Sequence, residues 1–107
     1  MYNNGKQAVV GVIADSEVTL NFGTDSHVSG KAGCNNYNGG YETSGDQLKI
    51  GPLASTRMFC EKPTGVMDQE HQYLTALQNA ATFEIAGSTL TIRDAGGAMQ
   101  VVATATP

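Results

Sequence analysis

One carboxylate and one guanidinium group are the side chains of this sequence that could act together chemically. In the periodic pattern of a predicted helix, Glu70 falls on the apolar face rather than on the solvated face. Strand alternation puts Arg57 on one face with Leu53 and Phe59. A buried carboxylate requires a cation or several hydrogen-bond donors. The two residues are therefore an active-site acid with its partner or, in the interpretation we favour, an ion pair or backbone clamp that fastens a helix to a sheet.

The remaining candidates for catalysis or metal binding have weaker patterns. Asp25, Ser26 and His27 could form a nucleophile site, but adjacent residues of a strand point to opposite faces, and no G-x-S-x-G motif accompanies them. An exposed turn is the simpler interpretation. His71 follows a carboxylate on the predicted helix, with no second histidine four residues away. We predict no catalytic, metal-binding or cofactor-binding residues.

The two cysteines, Cys34 and Cys60, are too few for a structural zinc site and lack C-x-x-C spacing. They are the right number for one disulfide, which would close a loop of about 27 residues and contribute about 3.5 kcal/mol. An exported protein would form this bond. The alternative is a pair of separate buried thiols in a cytosolic protein.

Length and composition restrict the class of protein. The 107 residues fit a single domain, and 40% hydrophobic residues indicate a folded chain. A net charge of -4 with scattered Lys and Arg argues against nucleic-acid binding. No stretch approaches the roughly 18 apolar residues of a membrane span. Because no signal peptide follows Met1, we expect a domain excised from a longer exported protein.

One segment has helical periodicity. The spacing of Met67, Leu74 and Leu77 predicts a helix over about 65–80, and Thr64 is the predicted N-cap. The chain is otherwise a series of short β-type stretches, which predicts an α+β fold that is mainly β and antiparallel. The eight predicted strands are 7–14, 17–23, 27–33, 47–50, 53–59, 82–86, 89–93 and 98–104. Core-filling side chains are predicted at Met58, Met67 and Met99.

The most unusual stretch is VSGKAGCNNYNGGY, residues 28–41. Asn38-Gly39-Gly40 can adopt positive φ angles, so we expect the chain to reverse between Tyr37 and Tyr41. Asn35 can bond neighbouring backbone groups, and the two tyrosine rings would be buried with their hydroxyls bonded to polar partners. This stretch is predicted to be a fold-building turn rather than a ligand site.

Three ordered motifs resemble those of a known family. GCNNYNGGY (33–41), LASTRMFC (53–60) and STLTIRD (88–94), with the intervening helix, resemble the META domain family of HslJ-like bacterial envelope and heat-inducible proteins. The residues that carry the motif, and that the resemblance implies are structural, are Gly33, Asn35, Tyr37, Gly39, Tyr41, Thr56, Arg57 and Glu70.

The resemblance implies both a fold and a location. The expected fold is an antiparallel sheet curled into a barrel-like form with one helix packed against it, in an exported or lipoprotein-anchored protein. It implies a non-enzymatic module that acts by protein interaction or in stress tolerance, without cofactors. One departure is the absence of tryptophan, which family members carry in the first strand. A truncated first strand would leave an open edge able to pair with another chain.

Two other functions stay open. A barrel of about eight strands can hold a small apolar ligand, unless its core is packed solid. The residues that would pack it are Leu20, Phe22, Leu53, Phe59 and Leu74. A peptidase inhibitor could use an exposed loop at 34–41 or 61–66. The sequence leaves the protein partner and the oligomeric state open.

Overall fold

A computed structural model describes residues 2–3, 9–12, 17–23 and 25–104 of the chain. Within these ranges there are eleven strands and one helix. They are β1 (Tyr2–Asn3), β2 (Val9–Val10), β3 (Glu17–Val18), β4 (Asn21–Phe22), β5 (His27–Gly33), β6 (Asn36–Ser44), β7 (Gln47–Ile50), β8 (Ala54–Ser55), α1 (Val66–Gln78), β9 (Thr82–Ala86), β10 (Thr89–Arg93) and β11 (Met99–Thr104).

The strands form one curled antiparallel sheet. Its order is β2-β1-β11-β10-β9-β7-β6-β5-β3, with β4 paired to β5 and β8 paired to β6. Every strand pair in the described ranges is antiparallel. The sheet is a half-barrel with a single helix. The predicted fold class, a mainly-β curled antiparallel sheet with one helix, is confirmed.

The helix packs against strands from both halves of the curl. It contacts β1, β5, β7 and β11. Within the described ranges, no helix is long and apolar enough to span a membrane. Its buried face contains Tyr73 and Leu77, at 2% and 0% exposure, and they pack with Ile92 and Val101 of the sheet. The predicted N-cap Thr64 is wrong. The helix starts after Gly65, whose φ of 84° is left-handed, and no side chain caps it.

The longest strand lies where a turn was predicted. β6 runs without interruption through Asn38, Gly39 and Gly40, and residues 36–40 of this strand pair with β5. The chain reverses earlier, at Cys34 and Asn35, so the predicted reversal at 38–40 is wrong. A Cβ at Gly39 would lie 3.0 Å from the Pro52 carbonyl oxygen and 2.8 Å from Leu53 Cδ2. The glycine therefore serves a close approach of backbone rather than a turn.

Two predicted strands are shorter than expected. The predicted strand 53–59 is regular only at Ala54–Ser55, and the predicted strand 17–23 is split into β3 and β4. At the split, the Thr19 N–H donates to the Lys31 carbonyl (2.9 Å), so the segment still follows β5. Of the predicted strand 7–14, only 9–12 are described, and Val9–Val10 pair with β1.

The last three strands form a meander of two hairpins. β9 and β10 are joined at Gly87-Ser88, with Gly87 at a φ of 62°. Between β10 and β11, the Asp94 carboxylate accepts hydrogen bonds from the Gly96 and Ala98 amides (3.0 and 2.9 Å), which holds that turn. β11 then pairs with β1 through Tyr2 and Val101, so the first described strand borders the last.

The methionine prediction is largely wrong. Met58 is 56% exposed and Met99 is 38% exposed, while Met67 is half-buried. Tyrosines and small aliphatic residues occupy the interior instead. The fully buried large side chains include Tyr37, Leu77 and Ile92.

Candidate functional site

The two cysteines form a disulfide beside the turn between β5 and β6. Cys34 bonds to Cys60, with the Cα atoms 5.9 Å apart. Gly33, just before the turn, has a φ of 112°, and a Cβ there would lie 3.0 Å from Val66 Cγ2. Glycine therefore lets the turn between β5 and β6 approach the first turn of α1. The disulfide joins the same β5–β6 turn to the segment that precedes the helix.

The side chain of Asn35 lies at the centre of this region and is 2% exposed. Its Oδ1 accepts hydrogen bonds from the Met58 N–H (2.7 Å) and the Thr56 hydroxyl (2.8 Å). Its Nδ2 donates to the Met58 carbonyl (3.0 Å) and to Glu70 Oε2 (2.8 Å). All of the ordinary bonding capacity of the amide is used, as a buried amide requires.

Asn35 also continues the strand ladder. Ser55 pairs with Tyr37, and the Thr56 N–H donates to the Asn36 carbonyl at 3.0 Å. Two residues further, the N–H and C=O of Met58 are both bonded by the Asn35 amide, which stands where a backbone peptide of β6 would stand. The segment 54–58 is therefore held along one edge as a strand would be.

Glu70 brings the helix to this same turn. The side chain is 6% exposed, and Oε1 accepts hydrogen bonds from the backbone N–H groups of Asn35 (2.6 Å) and Cys34 (3.2 Å). Backbone donors at the turn and the Asn35 amide thus satisfy the buried carboxylate. Of the interpretations of Glu70 made from sequence, the backbone clamp is the one that this geometry matches.

Arg57 takes no part in that clamp. It is exposed, and among the described residues no ion pair joins it to Glu70. The ion-pair alternative and the placement of Arg57 on a buried face with Phe59 are wrong, since Phe59 is 76% exposed. The physical reason is that this segment is an edge that lies against β6 on one side only.

A second polar cluster links the sheet to the helix through tyrosines. The hydroxyls of Tyr37 and Tyr73 are 2.7 Å apart, and the Tyr37 hydroxyl donates a hydrogen bond to the Thr19 carbonyl (2.6 Å). Burial raises the pKa of Tyr37 to about 12, although the hydrogen bond with Tyr73 lowers it. Burial also raises the pKa of Tyr73, with the neighbouring Tyr37 acting in the same direction. Both groups therefore stay neutral at ordinary pH.

Tyr41 lies on the outer part of β6. Its hydroxyl donates to the Gly23 carbonyl (2.6 Å), and its ring meets Phe22 edge-on at a centroid distance of 4.9 Å. Both tyrosines of the GCNNYNGGY motif thus use their hydroxyls on backbone carbonyls of the preceding segment.

The other candidates from sequence are not assembled into a site. Asp25, Ser26 and His27 form an exposed turn, where His27 Nδ1 lies 3.5 Å from an Asp25 carboxylate oxygen. His71 is exposed on the helix. Within the described ranges, no three His, Cys, Asp or Glu side chains are grouped so that they could hold a metal ion.

An open groove lies between the β3–β4 edge and β11. Its volume is about 840 Å³, and its lining combines apolar side chains such as Phe22 and Val101 with polar ones such as Glu17, Lys31 and Thr104. The two ends of the curled sheet approach each other here without strand pairing in the described ranges.

The sequence did not reveal the exposed apolar pair Met58 and Phe59. The alternation of LASTRMF suggested a buried strand, although the segment lies at an edge of the sheet. The available signal was local: Arg57 and Glu61 flank the two apolar residues, and Cys60 follows them directly. Charged residues beside a disulfide cysteine are typical of a surface loop.

A half-barrel with one helix, held by a buried carboxylate, an asparagine amide and a disulfide, defines a small β-module whose buried polar cluster is used for structure. The chain belongs to the META domain family, because the sequence model of that family matches residues 3–106. None of the curated proteins with which the chain was compared matches it.

Three solved structures resemble the chain. An NMR structure of a protein from Burkholderia xenovorans is 28% identical, with a TM-score of 0.68, over 94% of this chain and 72% of that one. A second NMR structure is 25% identical, with a TM-score of 0.66, over 96% of this chain and 83% of that one. The crystal structure of a DUF4847 family protein from Bacteroides vulgatus is 16% identical, with a TM-score of 0.57, over 78% of this chain and 55% of that one, and it shows the fold alone.

Proposed function

We propose that this chain is a non-enzymatic module that acts outside the cytoplasm by binding another protein. The observation that carries the proposal is the state of Glu70, the buried carboxylate most suited to acid–base chemistry. Both of its oxygens accept hydrogen bonds from the turn at Cys34 and Asn35. A carboxylate held in this way is occupied by the fold rather than directed at a substrate.

The disulfide and the family both support the proposed location outside the cytoplasm. A bond between Cys34 and Cys60 persists in oxidising compartments and is rare in the cytosol. The META domain match supports the same location. The envelope of a bacterium is the setting that this proposal assigns.

The surface that supports binding is the exposed edge at Met58 and Phe59. Its two adjacent large apolar side chains are 56% and 76% exposed and offer an apolar surface that a partner would bury on contact. Asn35 and the disulfide hold the backbone that carries them. A rigid apolar anchor loses little conformational entropy when it binds.

Site-directed photocrosslinking tests the proposal. In cells that export the protein, a photoreactive phenylalanine analogue replaces Phe59 and, in the control, Ser88 in the exposed turn between β9 and β10. We expect a discrete adduct with another protein from position 59 and none from position 88. Equal labelling from both positions, or none from either, would contradict a specific protein interaction.

A turnover screen tests the non-enzymatic part. The purified protein is assayed with ester, glycoside, phosphate and peptide substrates, beside a Glu70→Gln variant whose fold has been verified by circular dichroism. We expect no turnover above the level of buffer. Turnover that the folded variant lacks would establish an enzyme and remove the proposal.

The open groove, whose lining is partly apolar, favours a second candidate, the binding of a small ligand. Its volume of about 840 Å³ lies within the range of ligand pockets. Phe22, expected from the sequence to help fill a solid core, lines the groove and is 37% exposed. Ala103→Trp would fill the groove, so we expect it to abolish the thermal stabilisation that a bound small ligand gives, and Ala95→Trp, on an exposed turn, to leave it unchanged.

A further inference from the structure

We propose that the edge at residues 55–60 enters the substrate cleft of a serine endopeptidase with an apolar primary pocket, in which Phe59 occupies the pocket and the enzyme is inhibited. This inference rests on the proposed function and names the class of partner. The loops that the sequence offered for such a role, 34–41 and 61–66, do not carry it. Residues 36–41 lie in β6, with Tyr37 buried, and the loop 61–65 that precedes the helix contains no large apolar side chain.

The first support is the direction of the backbone groups. Thr56 and Met58 turn their N–H groups toward β6, where Asn36 and the Asn35 amide bond them. Because backbone groups alternate along an extended chain, those of Arg57 and Phe59 point the other way. In the described part of the chain they make no hydrogen bond with the protein. Proteases bind substrates as an added strand through these alternate residues.

The second support is the side chain at the outward position. Phe59 is 76% exposed, more than Ile85 at 67% or Met58 at 56%. A phenyl ring fits the hydrophobic slot of a chymotrypsin-type specificity pocket. Arg57, two residues earlier, is exposed on the same edge and would lie along the cleft.

The third support is the rigidity of the segment on both sides of Phe59. On one side, the buried Asn35 amide bonds both backbone groups of Met58. On the other, Cys60 is bonded to Cys34, whose own N–H donates to Glu70. A segment fixed before binding loses little entropy on association, which is the basis of tight inhibition by a substrate-like loop.

The same disulfide explains inhibition in place of proteolysis. Attack of the enzyme's serine hydroxyl on the Phe59 carbonyl carbon would form an ester, break the Phe59–Cys60 peptide bond and give the serine proton to the Cys60 amine. The disulfide and the fold keep this amine beside the ester. Re-formation of the peptide bond and release of the serine hydroxyl therefore compete with hydrolysis by water.

Inhibition kinetics with chymotrypsin, subtilisin and trypsin test the inference on the disulfide-intact protein. We expect chymotrypsin and subtilisin to be inhibited and Phe59→Ala to weaken inhibition by about 30-fold or more, as loss of a binding hot spot does. Phe59→Lys should transfer inhibition to trypsin, whose pocket holds an aspartate. Ile85→Ala, which removes an exposed apolar side chain from β9, is the matched control and should change nothing.

Three results would overturn the inference: no inhibition by the intact protein, rapid cleavage after Phe59 without inhibition, or inhibition that Phe59→Ala leaves intact. The photocrosslinking experiment separates this failure from failure of the proposed function. An adduct from position 59 with a protein that is not a protease would leave the binding function standing and remove the protease.

Discussion

Asn35 uses its side-chain amide where a strand would use a peptide group. The amide bonds both backbone groups of Met58 and also reaches Thr56 and Glu70. One buried side chain thereby joins the turn, the edge segment and the helix. This hydrogen-bonded cluster gives the sequence motif a physical meaning. GCN, the later STRM and the helical glutamate each supply one of its partners.

Asn35→Ala is expected to destabilise the protein by at least about 3 kcal/mol, because it removes four hydrogen bonds and leaves a buried carboxylate oxygen without its donor. Urea unfolding followed by circular dichroism measures this. Asn38→Ala, at an exposed position of β6, is the matched control and should stay within about 0.5 kcal/mol of the parent. Equal effects of the two substitutions would contradict the role of the amide.

The tyrosine pair predicts loss of stability in alkali. The pKa of Tyr37 is raised from 10.0 to about 12, so the folded state keeps its proton where the unfolded chain has lost it. The resulting stability is complete below pH 10 and is lost as the pH rises from 10 towards 12, a change of about 3 kcal/mol. Urea midpoints between pH 8 and pH 12 measure it. Tyr37→Phe should show a shallower decline, whereas an unchanged decline would show that other groups cause it.

At the residue scale, the sequence indicated that Asn35 would bond backbone and that Glu70 would face the interior. It could not indicate their partners, since Met58 lies 23 residues beyond Asn35 and Glu70 lies 35 beyond it. Alternation within one segment reports which face is apolar but not whether a second strand covers that face. The exposed position of Phe59 escaped prediction for this reason.

Among the elements, β6 shows where local rules gave the wrong result. Asn-Gly-Gly is a strong turn signal, yet these residues pair with β5 and β8 in mid-strand. Gly39 is needed because the chain at Pro52 and Leu53 crosses close to β6 at that position. The regular strands β5, β7, β9 and β10 were predictable because their pattern and their turns agree.

Gly39→Ala and Gly40→Ala form a matched pair that tests this explanation. A Cβ at Gly39 would lie 2.8 Å from Leu53 Cδ2 and 3.0 Å from the Pro52 carbonyl oxygen, while one at Gly40 would have its nearest neighbour at 3.8 Å. We expect Gly39→Ala to cost about 1–3 kcal/mol of unfolding free energy through overpacking. Gly40→Ala should be near neutral. Denaturant unfolding compares them, and equal losses would show that backbone entropy rather than the crossing governs both.

For the whole molecule, the sequence predicted the class of fold and its single helix, and the motif resemblance predicted the curl of the sheet. Composition and periodicity alone could not predict the curl, because it depends on pairings between distant strands such as β7 with β9. The split between β3 and β4 was equally inaccessible from local pattern.

The disulfide predicts a specific behaviour of the intact molecule. Alkylation followed by intact-mass measurement should show both thiols blocked until a reductant is added. Reduction, or the double variant Cys34→Ala with Cys60→Ala, should lower the unfolding free energy by about 3.5 kcal/mol. Thiols that alkylate without reductant would contradict the bond and weaken the extracytoplasmic assignment.

The pairing of Tyr2 with Val101 also sets the order of events during biosynthesis. A chain is made from its N-terminus, so β1 must wait for β11 to emerge before the two can pair. Such distant pairing is slow, because a long loop has to close first. The sheet is therefore completed only after β11, the last described strand, has been made.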